Sequence, residues 1–281
     1  MPQHSSTGAL VTGAARGLGL AIARVLVARG FTVHVTDIDG DAAALAAAAL
    51  GNSAFASTLD VRDDQACRAA AADTVQRAGS LDVWVNNAGV LATGPAWEHD
   101  EPTRRLMLEI NALGTINGTL AALEPMRAAG RGHVVNVVSL AGLVAAPGET
   151  VYSASKHAAI AFSIGTLADL RLAGVRDVHI SCVCPDGIWT PMLYDKLEDP
   201  GAASSFTGVL LLPEQVAERV GRVLDRPRPV TTIPRWRGLA IRPFDLWPRV
   251  ALAGLGPVLA YGRLQQRRYA RKVRRGTWPP G

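Results

Sequence analysis

The sequence has 281 residues, 48% of them hydrophobic, which is enough for one large α/β domain or two small ones and argues against a disordered chain. The net charge of +5 is unevenly distributed: residues 226–281 contain 13 basic residues and one acidic residue, whereas the first 225 carry a net −7. Three cysteines, Cys67, Cys182 and Cys184, cannot all pair with one another, and we expect a reduced, cytoplasmic protein without structural disulfides.

We expect neither an export signal nor a membrane-spanning helix. Residues 1–8 contain no basic segment followed by an apolar one. The longest late apolar stretch, residues 250–260, is about half as long as a spanning helix and is interrupted by two glycines and a proline.

Short β-branched runs alternate with longer alanine-rich stretches from Ala9 to about Ile233, which is typical of βαβ units. The predicted strands cover residues 9–11, 32–36, 54–58, 83–85, 133–138, 179–183 and 230–233. The predicted helices cover residues 18–29, 40–50, 62–78, 101–129, 153–173 and 213–224. This pattern predicts an α/β protein: a single doubly wound Rossmann fold with a mainly parallel seven-stranded sheet.

The alternation stops beyond Pro234. We therefore predict a Rossmann domain over residues 1–234 and a basic, amphipathic helical C-terminal extension over residues 235–281. Within the first domain, the segment from about 190 to 212 is rich in small and apolar residues and long enough to be a lid over a binding cleft.

The first βα turn is rich in glycine and lies between a predicted strand and a predicted helix. Its glycines follow a Gly-x-x-x-Gly-x-Gly spacing, which lets the backbone approach a pyrophosphate at the helix N-terminus. The turn predicts dinucleotide contacts from Gly13, Ala15, Arg16, Gly17, Leu18 and Gly19.

Two residues bear on the choice between NAD and NADP. Asp37 ends the second strand, where a carboxylate accepts hydrogen bonds from the adenosine ribose and repels a 2′-phosphate. Arg16 argues for NADP, because its guanidinium could pair with that phosphate. We weigh Asp37 more heavily and predict NAD. Asp60, followed by Val61, either lies beside the adenine amine or caps the next helix.

An Asn-Asn-Ala-Gly run, residues 86–89, follows the fourth strand, at the edge where open α/β sheets bind ligands. Small residues here let a cofactor pass, although a simple turn also favours Asn and Gly. We predict cofactor contacts from Asn87, Ala88 and Gly89.

A polar constellation follows the fifth strand. Ser139 ends that strand, and Tyr152 and Lys156 lie one helical turn apart on one helix face. An ammonium near a phenol lowers its pKa, so that Tyr152 can exchange a proton with an alcohol, while Ser139 holds the substrate oxygen. Tyr152 and Lys156 are also expected to contact the cofactor. No metal site is predicted.

In order and spacing, these motifs resemble those of the classical short-chain dehydrogenase/reductase family, over Ala9 to about Pro234. The resemblance implies an oxidoreductase that is a homodimer or homotetramer. It also implies that Asn111 completes a catalytic tetrad by supporting a water that leads protons to Lys156.

The loop after the sixth strand departs from the family pattern. The family usually has Pro-Gly there, whereas this chain has Pro185-Asp186-Gly187, so Asp186 is an insertion. Thr190 resembles the family threonine that hydrogen-bonds the nicotinamide carboxamide. By this resemblance, the loop contacts the cofactor through Pro185, Gly187, Ile188 and Thr190.

The residues expected around the nicotinamide end are apolar or small, which suits a steroid-, terpenoid- or acyl-like alcohol or ketone. The predicted substrate pocket consists of Leu91, Ala141, Leu143, Trp189, Met192, Leu193 and Leu197.

The C-terminal extension combines Trp236, Phe244, Leu246 and Trp247 with arginines, and residues 263–275 are strongly basic without an acidic residue. This composition suits peripheral contact with an anionic membrane, a cap on the substrate pocket, a subunit interface, or a solvated arginine-rich helix. No recognition motif accompanies the charge, so nucleic acid is not the expected partner.

The leading hypothesis is transfer of hydride between NAD(H) and a lipophilic secondary alcohol or ketone. An NADPH-dependent carbonyl or 3-oxoacyl reductase, with Arg16 binding the phosphate, is an alternative. A nucleotide-sensing or membrane-associated binding scaffold is an alternative of another class.

Overall fold

The computed structural model describes residues 7–279, apart from the side chains of Pro243 and Asp245. Its centre is one sheet in which every strand pairing is parallel. The strands are β1 (Thr7–Thr12), β2 (Phe31–Asp37), β3 (Ala54–Thr58), β4 (Val83–Asn86), β5 (Gly132–Val137), β6 (Val178–Pro185) and β7 (Val230–Ile233). Their order is β3-β2-β1-β4-β5-β6-β7, which confirms the predicted doubly wound, seven-stranded sheet.

The winding of the sheet reverses between β1 and β4. From this pair, β2 and β3 extend to one side, and β5, β6 and β7 extend to the other. A parallel sheet leaves a crevice outside the carboxyl ends of the strands at such a reversal. The ends of β1 and β4, at Thr12 and Asn86, therefore mark where a ligand is expected.

The helices cover both faces of the sheet. They are α1 (Gly17–Ala28), α2 (Gly40–Leu50), α3 (Asp64–Ala78), α4 (Glu101–Leu108), α5 (Gly114–Ala129), α6 (Thr150–Leu172), α7 (Pro191–Tyr194), α8 (Pro213–Asp225), α9 (Arg235–Leu246) and α10 (Pro248–Arg274). Successive residues of a strand point to opposite faces of the sheet, so every second residue lies on the same face. Thus Ala9 and Val11 of β1 pack with α1, α2 and α8, whereas Leu10 packs with α3 and α5.

Helix α6 begins at Thr150, three residues before its predicted start at residue 153. Two further differences from the predicted helices have local reasons. Helix α3 begins at Asp64 rather than at residue 62, because the Asp63 side chain accepts hydrogen bonds from the backbone N–H groups of Gln65 and Ala66. The helix predicted over residues 101–129 is divided into α4 and α5 by a π-helical turn, Glu109–Leu113. Such turns often occur at functional sites, and this one carries Asn111.

The helical segment Glu101–Ala129 is also long and apolar enough to cross a membrane by length and composition. Its most apolar 18-residue window is 61% buried inside the protein, as expected for a core helix of an α/β fold.

The C-terminal extension packs against the lid. Helix α10 lies against the 3₁₀ segment Pro200–Phe206 through buried Gly262, Gln266 and Ala270. A Cβ atom added to Gly262 would lie 2.2 Å from the Ala203 carbonyl oxygen, so only glycine permits this approach. The Gln266 amide donates hydrogen bonds to the carbonyls of Lys196 (2.8 Å) and Asp199 (2.7 Å).

Candidate active site

The glycine turn forms a backbone cradle at the N-terminus of α1. Gly13 and Gly17 have φ values of +61° and +57°, which side chains other than glycine rarely adopt. A Cβ atom on Gly13 would also lie 2.9 Å from the Ala88 Cα atom. The N-terminus of a helix carries about half a positive charge, so this cradle fits a pyrophosphate.

Asn87 fastens the turn to the end of β4. Its side-chain amide donates hydrogen bonds to the carbonyls of Thr12 and Gly13, both at 2.9 Å. The Thr12 hydroxyl in turn accepts the backbone N–H groups of Asn87 and Ala88, both at 3.0 Å. These bonds fix the two edges of the crevice relative to each other.

Asp37 faces the same cavity from the end of β2. Its carboxylate accepts hydrogen bonds from the backbone N–H groups of Ala15 (3.1 Å) and Asp39 (3.2 Å), which hold it beside the glycine turn. Arg16 lines the same cavity. Asp37 and Arg16, which argue for different cofactors, therefore both lie at the end of the cavity that contains the glycine turn.

Asp60 lines the cavity beside Val61 and does not cap α3, a role that Asp63 fills. Its carboxylate forms an ion pair with Arg62 at 2.6 Å. Hydrogen bonding from Arg62 lowers the pKa of Asp60, so this carboxylate is charged at neutral pH.

Ser139, Tyr152 and Lys156 meet on the cavity wall. The Ser139 side chain interacts with the Tyr152 hydroxyl and lowers the pKa of that group. Lys156 Nζ lies 5.7 Å from the centroid of the Tyr152 ring and donates a hydrogen bond to the Val137 carbonyl at 3.2 Å. The structure therefore brings the predicted constellation together.

Burial shifts the pKa values of Tyr152 and Lys156 in opposite directions. Burial and the charge of Glu149 raise the pKa of Tyr152, while the hydrogen bond from Ser139 lowers it. Burial lowers the pKa of Lys156 to about 8, which brings the loss of its proton close to neutral pH. The predicted lowering of the Tyr152 pKa by Lys156 remains a prediction.

Asn111 lies behind the cavity rather than on its wall. Its amide exchanges hydrogen bonds with the backbone of Val90, at 2.8 and 2.9 Å, and donates to the Ser155 hydroxyl at 3.1 Å. A Cβ atom on Gly89 would lie 3.1 Å from Asn111 Oδ1 and 3.6 Å from Lys156 Nζ. The small Gly89 thus allows both polar groups to approach the same point.

One continuous cavity of about 1320 Å³ runs from the glycine turn to α10. This exceeds the usual size of a pocket for one small ligand, about 300–1,000 Å³. Most of the predicted site residues line it: Gly13, Arg16, Gly17, Leu18, Asp37, Asp60, Val61, Asn87, Ala88, Gly89, Leu91, Ser139, Ala141, Tyr152, Lys156, Pro185, Gly187, Ile188, Thr190, Met192 and Leu193.

Three predicted pocket residues do not line the cavity. Trp189 and Leu197 pack in a cluster with Phe206 of the lid and with the C-terminal extension, and the Trp189 and Trp278 rings lie 6.0 Å apart. Leu143 packs beside Ile160 and Ile241. These three side chains therefore pack behind the residues that line the cavity. In the glycine turn, Ala15 and Gly19 likewise lie outside the lining.

Glu149 is a cavity residue that sequence analysis missed. It is almost fully buried, and its carboxylate accepts hydrogen bonds from the backbone N–H (3.2 Å) and hydroxyl (2.6 Å) of Ser205 in the lid. Burial raises its pKa to about 7. No motif marks this position, because its partner lies 56 residues away in sequence.

The inserted Asp186 joins the cofactor loop, the lid and the C-terminal extension. Its carboxylate accepts hydrogen bonds from the backbone of Gly187 and Val209, at 3.1 Å each, and from Arg237 at 3.0 Å. The Asp186 side chain is 6% exposed and the Arg237 side chain 17%. Arg237 also donates to the Thr207 hydroxyl at 3.1 Å.

The C-terminal extension supplies a large part of the cavity wall, as one of the alternatives for this segment predicted. These residues are almost entirely apolar: Ile241, Phe244, Pro248, Ala251, Leu252, Leu255, Pro257, Val258, Leu259 and Tyr261. Their contribution is not visible in the motifs, since it depends on how α9 and α10 fold back over the sheet.

A family model described as short chain dehydrogenase matches residues 7–201, which is more than half of the chain. The match ends before α8, so it does not include the C-terminal extension.

The chain is 35% identical to the cyclopentanol dehydrogenase of Comamonas testosteroni over 219 residues, which cover 75% of this chain and 86% of that one. It is also 35% identical to the 1-deoxy-11-beta-hydroxypentalenate dehydrogenase of Streptomyces exfoliatus over 226 residues, covering 78% of this chain and 80% of that one.

Solved structures show the same fold. A short chain dehydrogenase/reductase from Burkholderia phymatum in complex with NAD superposes with a TM-score of 0.78 at 23% identity, covering 89% of this chain and 97% of that one. A short-chain dehydrogenase from Streptomyces avermitilis superposes with a TM-score of 0.72 at 28% identity, covering 89% and 98%.

We predict that Arg237→Met destabilises the protein by about 3 kcal/mol, because it leaves the Asp186 carboxylate buried without its ionic partner. Chemical denaturation with and without cofactor measures the loss. Arg235→Met is the matched control, since Arg235 is exposed at the start of the same helix. Equal stability of the two variants would contradict a structural role for the pair.

Proposed function

This chain belongs to the short-chain dehydrogenase family, and from that premise we propose that it transfers hydride between NAD(H) and a lipophilic secondary alcohol or its ketone. Membership makes it an NAD(P)-dependent oxidoreductase that acts on alcohol groups. The observation that carries the finer proposal is the single cavity, which joins the glycine cradle, the Ser139–Tyr152–Lys156 constellation and an apolar wall.

We assign the acid/base role to Tyr152. Its hydroxyl faces the cavity beside Ser139, so one substrate oxygen can contact both groups. Ser139 orients that oxygen, and Tyr152 accepts or returns its proton. General acid/base catalysis of this kind contributes about 10²–10⁴-fold to a rate.

Lys156 and Asn111 support Tyr152 from behind. Burial raises the pKa of Tyr152, and we propose that a positive charge on Lys156, whose Nζ lies 5.7 Å from the centroid of the Tyr152 ring, favours the phenolate and opposes this rise. Asn111 is fixed by Val90 and Ser155, and Gly89 leaves it close to Lys156. This arrangement suits the proposed role of Asn111 in leading protons towards Lys156.

The residues at the other end of the cavity fit a nicotinamide dinucleotide. Positive φ values at Gly13 and Gly17 open the cradle, and Asp37 is held where it can accept hydrogen bonds from a ribose and repel a 2′-phosphate. When bound, NAD supplies the hydride acceptor or donor. The loop from Pro185 to Thr190 lines the cavity beside it.

The substrate end favours an apolar molecule. Leu91, Ala141 and Met192 line the same cavity as Tyr152, and α9 and α10 add further apolar side chains. The names of two relatives, dehydrogenases of cyclopentanol and of a hydroxypentalenate, specify alcohols. We propose a steroid-, terpenoid- or acyl-like alcohol.

Two alternatives rest on specific features. Arg16 faces the cavity and favours an NADPH-dependent carbonyl or 3-oxoacyl reductase. The C-terminal extension would suit a binding scaffold, but a scaffold has no need for Ser139, Tyr152 and Lys156 together in one cavity. The oxidoreductase is therefore preferred.

A cytoplasmic location is consistent with Cys67, Cys182 and Cys184, which are buried and unpaired. Peripheral contact of the C-terminal extension with an anionic membrane is part of the same proposal.

We predict that Tyr152→Phe lowers kcat at least about 100-fold, because the phenyl ring cannot exchange a proton with the substrate. NADH binding, followed by fluorescence titration, should change little. Tyr194→Phe is the control, since Tyr194 lies half-exposed on α7 outside the constellation. Retained turnover in the Tyr152 variant would refute the proposed acid/base role.

We predict that the protein binds NADH more tightly than NADPH and that Asp37→Asn reduces this preference at least about tenfold, by removing the charge that repels a 2′-phosphate. The amide oxygen of asparagine can still accept the Ala15 N–H, so the turn is preserved. Asp41→Asn controls for the change in net charge, because Asp41 is an exposed residue of α2. Tighter NADPH binding by the parent protein would favour the reductase and Arg16.

We propose that the protein is a homodimer or homotetramer. Exposed apolar side chains on and next to α5 and α6 support this proposal: Leu113 immediately before α5, Leu120 on α5 and Ile164 on α6. Light scattering after size exclusion should then give two or four times the chain mass of 29.6 kDa. A mass of one chain at micromolar concentration would contradict this assembly.

A further inference from the structure

Helix α10 has two chemically different faces. One face carries half-buried Ala251, Leu255 and Leu259, which line the cavity, and then buried Gly262 and Gln266, which pack on the lid. The opposite face presents an apolar stripe that is exposed to solvent. We define the apolar stripe as Val250, Ala253, Pro257, Tyr261 and Leu264.

The spacing of the apolar stripe is helical, and its size is unusual for a solvated surface. Its members recur every three or four residues, so they form one line along α10. Val250 is 70% exposed and Leu264 is 44% exposed. Leu246 and Trp247, which precede α10, are exposed at the same end. A contiguous apolar surface of this kind marks an interaction site.

Basic residues follow the apolar stripe on the same side of α10. Arg268, Arg271 and Arg275 follow Leu264 at the same helical spacing and are exposed. Residues 246–279 contain eight basic residues and no acidic one. Within the described chain, Arg274 forms an ion pair with Glu198 at 3.6 Å, and both of these side chains are largely exposed.

The apolar stripe borders the mouth of the active-site cavity. Several residues that line the cavity are also exposed, so they form its rim. These rim residues are apolar or aromatic: Met192, Phe244, Leu252, Val258 and Tyr261. Tyr261 belongs to both the rim and the apolar stripe, which makes the two surfaces continuous.

We propose that the apolar stripe and the arginines that follow it dock on an anionic lipid bilayer, so that the cavity mouth faces the acyl chains and takes its substrate from the membrane. Apolar residues that enter the interface beside basic residues that contact headgroups are the features of interfacial helices. The identity of the substrate rests on the proposed function, whereas docking itself does not.

The charge distribution disfavours the other occupants of this surface. In a twofold interface between copies of this chain, the same surface meets itself, and residues 246–279 offer no acidic side chain to pair with Arg268 and Arg271. Nucleic acid offers phosphates to the arginines but no apolar surface for Val250 or Leu264. A bilayer with anionic headgroups offers acyl chains to the apolar stripe and negative charge to the arginines that follow it.

Flotation of the full chain with extruded vesicles tests the proposal. We expect binding to vesicles of phosphatidylcholine and phosphatidylglycerol at 3:1, and at least about tenfold weaker binding to phosphatidylcholine alone. Raising the salt to about 0.5 M should weaken binding to the anionic vesicles, because it screens the arginines. Equal binding to both compositions, or none to either, would overturn the proposal.

Three variants locate the contact. Val250→Glu with Leu264→Glu should reduce binding at least about tenfold. Arg268→Gln with Arg271→Gln should reduce it about 30-fold, at about fivefold for each charge. The control is Leu45→Glu, since Leu45 is 74% exposed on α2, far from α10 in sequence. Parental binding by either double variant would refute this surface as the contact.

A second readout separates docking from catalysis. The binding assay contains neither cofactor nor substrate, so a failed dehydrogenase assay leaves its result intact. Val250 and Leu264 do not line the cavity, so Val250→Glu with Leu264→Glu should oxidise a water-soluble secondary alcohol at the parental rate. A changed subunit number in this variant, seen by light scattering, would instead assign the surface to self-association and overturn the proposal.

Discussion

The Asn87 side chain joins the glycine turn to the end of β4, at the point where the winding of the sheet reverses. Its amide satisfies two carbonyls of the glycine turn, and Thr12 accepts the N–H groups that follow β4. A cradle with unpaired N–H groups at the start of α1 keeps its shape only if the backbone around it is fixed. The positions of Asp37, Ser139 and Tyr152 relative to the cradle then follow from the parallel strands that carry them.

The cavity is closed by parts of the chain that lie far from this point. Asp186 and Glu149 are buried carboxylates, and each is neutralised or hydrogen-bonded by a residue from the lid or the C-terminal extension. Buried charges are tolerated only with such partners. The lid is thereby tied on one side to the helix that carries Tyr152 and on the other to α9. The position of the lid thus depends on the hydrogen bonds of these two carboxylates.

The sheet and the motifs were predictable from sequence because they depend on local patterns. Buried parallel strands are short β-branched runs, and the glycine turn and the Tyr152–Lys156 pair have fixed spacings. The π-helical turn at Asn111 and the roles of Glu149 and Arg237 were not predicted, and a contribution of the C-terminal extension to the cavity wall was only one of several alternatives. Each depends on contacts between distant segments, and no local pattern specifies which apolar side chains face the cavity and which, like Trp189, support it.

The close packing of Gly262 on Ala203 has a consequence for biosynthesis. The lid leaves the ribosome about 60 residues before its packing partner on α10 does. Domains tend to fold in the order in which they are synthesised. The sheet and the glycine cradle can therefore form while the chain is still growing, whereas the apolar interior beneath the lid stays open until α10 emerges. The substrate chamber is thus completed later than the cofactor cradle, although both belong to one cavity.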